Sequence, residues 1–179
     1  METHGAIAAA LACAGVWRGE RVRVHVDGTS MRPLLDVGDA IWIEWAEPAS
    51  LRPGDVVTVR HDGVLLTHRL VAIDARSCRT KGDNCRISDD PVPVEEIVGR
   101  VVLVERRGRL VDLRRWHWMI AGRLVAGLAQ MEDALVRTAR RRTGDERRWA
   151  FLALRCGAVS LRGVFYVTIK LLIAVEKYV

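Results

Sequence analysis

Two Gly-Asp pairs, Gly38-Asp39 and Gly54-Asp55, each stand directly ahead of a β-rich run, "AIWIEW" and "VVTVRH". Glycine supplies the tight bend and β-branched residues suit a pleated surface, so each pair launches a strand. "RVRVHV" alternates with period two before them. "GVLLTHRLVAID" and "IVGRVVLVERRGRLVDL" extend the pattern after them, the last with a hairpin at Arg107-Gly108. Pro48, Pro53, Pro91 and Pro93 fall between the runs, where a missing N–H does no harm. Short strands at close intervals predict a mainly β, compact and partly closed fold over residues 22–113.

The period changes after Leu113. Ile120, Leu124, Leu128, Met131 and Leu135 recur at helical spacing, and "RTARRRTGDERR" ends that helix with a charged, glycine-containing break. A second helix is expected from about Trp149 to Val175, with Arg148, Arg155 and Arg162 seven residues apart on an otherwise apolar cylinder. It packs either on the first helix and the β-domain or in a membrane interface. The expected organisation is therefore a short apolar N-terminal helix or anchor (1–21), a β-rich domain (22–113) and a basic amphipathic helical tail of about two helices (114–179).

Charge separates the two halves. Residues 1–100 carry 12 Lys+Arg against 15 Asp+Glu, and residues 101–179 carry 16 against 7. A basic C-terminal part suits an anionic partner. It has no helix-turn-helix pattern, zinc spacing or interleaved aromatic and basic strand, so the expected partner is a membrane surface or a membrane protein, not nucleic acid. No run reaches the 18 or so apolar residues that span a bilayer. "AIAAALACAGVW" is shorter, and its flank "METHG" has no Lys or Arg. Ala12-Cys13-Ala14 imitates the end of a secretory signal, but a short docking helix is the favoured reading. The four cysteines do not make a disulfide scaffold or a metal site. Cys78 and Cys85 either staple the loop between them or remain free thiols.

Three stretches carry the chemistry. "GTSMRP" holds Ser30 in a turn fenced by Gly28, Thr29, Met31 and Pro33. "LLTHRLVAID" places His68 in a strand-like run, where an imidazole costs desolvation unless it has a task. "RTKGDNCRISDD" reads as an acidic loop with Asp83, Asp89 and Asp90. A serine hydroxyl is a poor nucleophile until a base takes its proton, which is the reason to pair Ser30 with His68.

Taken in order, these stretches resemble the LexA/signal-peptidase superfamily of serine peptidases. The resemblance rests on Gly28-Thr29-Ser30-Met31-Arg32-Pro33, "LLDVGDAIWI", "LRPGDVVTV", the base-bearing strand, "TKGDN" with an acidic residue six positions past its Asp, and "IVGRV", over about residues 22–105. Self-cleaving repressors and bacterial housekeeping signal peptidases carry a lysine on the base strand. Here Thr67-His68-Arg69-Leu70-Val71 looks like the histidine type of the endoplasmic reticulum and archaea.

The resemblance implies Ser30 as nucleophile, His68 as general base, Asp89 as the residue that orients it, and Asp83 as a second acid or a turn former. Asp90 is a rival to Asp89. Gly28 lets a substrate backbone approach, Pro33 pre-sets the exit from the turn, and Met31 packs under the loop or lines the cleft. No metal or cofactor is implied. The substrate implied is an extended precursor or leader peptide cut near a membrane. A self-cleaving switch, cutting at Ala14-Gly15, and a non-catalytic docking module are the alternatives. The sequence departs from the family in having Gly28 where many signal peptidases have Ser or Thr, in its short N-terminal apolar run, and in its helical tail. His25, His61 and His117 have no supporting constellation.

Overall fold

The computed structural model describes residues 19–61 and 63–141, together with Val167. The N-terminal apolar run, the Ala14-Gly15 bond and most of the expected second tail helix lie outside the described residues.

Among the described residues, eight strands form one antiparallel sheet that curls into a half-barrel: β1 (Val22–His25), β2 (Ala40–Glu44), β3 (Val56–His61), β4 (Val64–Ile73), β5 (Ser77–Lys81), β6 (Val92–Pro93), β7 (Ile97–Arg106) and β8 (Arg109–Asp112). Their order is β1-β2-β7-β3-β4-β5-β6, and β8 also pairs with β7. β7 is the seam. It holds β2 along one edge, and β3 then β8 along the other. The β7–β8 hairpin turns at Arg107 and Gly108, both at positive φ. Pro93 lies in the outermost strand, where no ladder bond is lost. The fold is mainly β, as the alternation predicts.

The two Gly-Asp turns share one construction. Asp39 accepts the N–H of Asp36 and Asp55 that of Arg52, at 2.8 and 2.9 Å. Each aspartate N–H in turn donates to the carbonyl three residues back. Gly38 and Gly54 sit at φ +88° and +110°, where a side chain would be strained. Asp39 is also clamped by Arg106 on β7, which fixes the turn to the seam strand.

Buried residues form two clusters. Met31, Leu34, Leu35, Ile41, Ile43, Val56, Val98, Val101, Val104 and Trp118 make one; Leu51, Val57, Val59, Leu70, Cys78, Val92 and Ile97 belong to the other. Val56 and Val57 are neighbours in β3 yet lie in different clusters, so β3 is covered on both faces, as its unbroken "VVTV" run suggests.

Two local expectations are corrected. Arg79–Asp90 reads as one loop, but Arg79, Thr80 and Lys81 lie in strand β5, paired with β4. Its residues alternate polar and small, and so give no apolar signal. The helix α1 (Trp116–Arg141) forms where expected, but the stripe that reveals it is not the side that packs. Trp118, Ala121, Gly122, Ala126 and Ala129 face the sheet, while Ile120, Leu124 and Met131 are exposed. Close approach is the reason: a Cβ on Gly122 would stand 2.5 Å from the Gly54 carbonyl oxygen, and only small residues let the helix lie that near.

Candidate active site

The nucleophile loop is held from below. Met31, Leu34 and Leu35 insert into the core, leaving Ser30 half-buried and Gly28 and Thr29 exposed. Of the two readings of Met31, packing under the loop is the one observed. Pro33 is buried behind a cis Arg32–Pro33 bond. No described atom lies within 4 Å of where a Gly28 Cβ would be, so no described neighbour demands glycine there.

His68, on β4, is buried and bridges two partners. Its Nε2 is 2.9 Å from Ser30 Oγ, and its Nδ1 is 2.6 Å from Asp89 Oδ2. Asp89 is seated by β5: its N–H donates to the Thr80 carbonyl at 2.8 Å, and Thr80 Oγ1 donates to Oδ2 at 2.6 Å. Asp90, one residue on, is exposed. Burial pushes the Asp89 carboxyl up, but hydrogen bonds from His68 and Thr80, and the charges of His68 and His61, hold it below its ordinary value.

The Lys81–Asn84 segment supports the loop. Asn84 N–H donates to the Ser30 carbonyl at 2.7 Å, and Asn84 Nδ2 to the Thr29 carbonyl at 3.3 Å. A Cβ on Gly82 would stand 2.7 Å from both the Ser30 carbonyl oxygen and Cys85 Sγ, and 3.1 Å from His68 Nε2. Only glycine fits there. Asp83 does not reach the imidazole-bearing cluster. It takes two hydrogen bonds from Arg69, at 2.8 and 2.7 Å, with the side chains only 5% and 1% exposed. Arg69 also donates to the Gly54 carbonyl at 2.7 Å, which locks the acidic turn to the second Gly-Asp turn. Thr80, Gly82, Arg69 and Asn84 are thus site-building residues that the sequence reading left without a role. All four lie within the stretches that carry the resemblance, Arg69 next to His68 and the other three in "TKGDN".

α1 completes the frame. Lys81 Nζ donates to Glu132 at 2.6 Å, Ser88 Oγ to Asp133 at 2.6 Å, and Gln130 Nε2 to the Val71 carbonyl at 2.6 Å. Lys81 therefore sits at the end of a strand, bound to the helix, and not in a free loop. Cys78 and Cys85 are thiols and are not joined in a disulfide. Burial pushes the Cys78 thiol up to about 11, with Asp74 adding to the effect. His25 is exposed beside Arg23, and the His117 ring meets that of Trp116 edge-on and that of Trp118 at a tilt.

A family match gives the class, a serine-peptidase or LexA-like self-cleaving fold, here a curled antiparallel half-barrel with a hydroxyl, an imidazole and a carboxylate in line. The family described as Peptidase S24-like matches residues 11–102, just over half of the chain, and the chain belongs to that family. The matched span includes Ser30, His68, Asp83 and Asp89 and stops before β8 and α1. No curated protein matches the chain.

Proposed function

We propose that the chain is a serine endopeptidase of the signal-peptidase kind, cutting a precursor or leader peptide by a Ser30–His68–Asp89 relay. The observation that carries the reading is the continuous line from Ser30 Oγ through both ring nitrogens of His68 to Asp89 Oδ2. In this reading His68 Nε2 takes the Ser30 proton as Oγ attacks the scissile carbonyl carbon. In the same reading the Ser30 N–H donates to the resulting oxyanion. The C–N bond then breaks as Nε2 returns the proton to the leaving amine. Water, deprotonated by the same nitrogen, releases the acyl group and restores Ser30. Asp89 accepts from Nδ1–H throughout, keeping Nε2 free to act as base and offsetting the charge the ring gains.

The substrate is an extended peptide passing the open side of Gly28, with small residues before the cut. The test is incubation of the purified chain with a pool of such peptides, read by mass spectrometry. Ser30→Ala and His68→Ala are each expected to lower turnover by about 10⁴-fold or more, and Asp89→Asn by about 10³-fold or more, with unchanged folding. Cleavage that survives Ser30→Ala removes the proposal.

A family match that begins ahead of Ala14-Gly15 supports a second reading, self-cleavage at that bond. The intact mass of incubated wild-type protein, compared with Ser30→Ala, separates cleavage of the chain itself from cleavage of an added peptide.

A further inference from the structure

The outward face of α1 is apolar where a soluble helix is normally polar. Trp116, Ile120, Leu124 and Met131 are 69%, 48%, 65% and 60% exposed, and they recur at helical spacing along one side. Fifteen residues at 1.5 Å each make the stripe about 22 Å long. Arg123 and Arg137 are exposed beside it. The only acidic residues of α1 are Glu132 and Asp133, and both are turned to the protein, bound to Lys81 and Ser88. Among the described residues, the outward face of α1 therefore combines apolar and cationic side chains, and α1 itself adds no carboxylate to it. No helix of the described residues is long and apolar enough to cross a membrane.

We propose that this face of α1 lies on an anionic lipid surface. Charge complementarity is the argument for lipid over a protein groove: an apolar stripe edged by arginine, without a carboxylate, matches acyl chains below negatively charged headgroups. The aliphatic side chains enter the interface, and the long arginine stems carry their guanidinium groups up to the headgroups. A tryptophan at the end of the stripe suits the polar boundary, where its ring has an apolar body and a donor. The opposite face of α1 holds the β4–β5 region and the Asp89 loop. Docking would thus set the candidate site at a fixed height above the surface.

The proposal does not depend on catalysis, and its test reads binding. The full chain is sedimented with vesicles of phosphatidylcholine alone and with vesicles containing about one third phosphatidylglycerol. The wild type and Ser30→Ala are expected to bind the anionic vesicles, with binding weakened by high salt. The Ile120→Glu/Leu124→Glu double variant is expected to lose tenfold or more in affinity. Its melting temperature should stay within about 2 °C of wild type, because exposed positions tolerate substitution. Wild-type protein that ignores anionic vesicles overturns the proposal, and so does a double variant that binds as wild type, which would assign binding to the basic tail. A double variant that melts much earlier, or that converts a dimer to a monomer in gel filtration, overturns it too. Those results would mean that the chain's own tail, or a second copy, covers the stripe.

Discussion

Arg69 and Asp83 face each other in a two-fold hydrogen-bonded pair that is almost sealed from water. One carries the backbone after His68, and the other the turn beneath Ser30. The pair is thus a brace between the base strand and the nucleophile loop. Removing either charge leaves the other buried without its counter-ion, which costs about 3–5 kcal/mol.

Asp83→Asn is expected to lower stability by about 3 kcal/mol in urea denaturation. The Arg69→Met/Asp83→Leu double variant should lose clearly less than the two single losses added together. Additive losses would show that the pair is not coupled.

Acid should act through Asp89. Its carboxyl titrates below the ordinary value, so it contributes stability at pH above about 4 and loses it as pH falls through the lowered value. Between pH 5 and pH 3 the wild-type melting temperature is expected to fall further than that of Asp89→Asn. Parallel curves for the two proteins would contradict the bonding described.

Gly122→Ala tests the seat of α1. Alanine favours a helix by up to about 1 kcal/mol, yet its Cβ would meet the Gly54 carbonyl oxygen at 2.5 Å and Arg69 Nη1 at 2.9 Å. Backbone cannot yield cheaply, and a net loss of about 2 kcal/mol is expected. A stabilised variant in thermal melting would show that the helix lies further from the sheet.

The Ser88–Asp133 bond ties the residue before Asp89 to α1. Asp133→Ala should lower kcat about tenfold with KM little changed, because it loosens the orienting carboxylate and not the peptide cleft. Ser88→Ala should behave alike, while Asp133→Asn keeps an acceptor oxygen and recovers most of the rate. A change confined to KM would place this bond outside the catalytic geometry.

Much of this architecture was readable from residue order, for reasons that differ by element. β2, β3 and β4 announce themselves because their apolar, β-branched runs start from turns with a fixed glycine, and β7 because its apolar run ends at one, Gly108. β5 is silent because Thr80 and Lys81 are polar and are buried by virtue of their partners, Asp89 nine residues on and Glu132 on the distant helix. The side on which α1 packs is hidden for a similar reason. Apolar periodicity marks the larger residues, whereas contact with Gly54 selects the smaller ones. At the site, Ser30, His68 and Asp89 meet in space. The choice between Asp89 and Asp90 depends on one backbone bond to Thr80, which no spacing reveals. Asp83 stands apart from that cluster because Arg69, adjacent to His68, captures it first.

α1 begins well after the family match ends, yet Glu132 is the counter-ion of buried Lys81 and Gly122 roofs over Arg69. A recombinant fragment trimmed at Leu113 would strand one ammonium group without its anion and uncover the brace. Anyone transplanting this catalytic unit into another host protein must therefore carry the chain through at least Asp133, because the homology border and the smallest self-sufficient piece are different lengths.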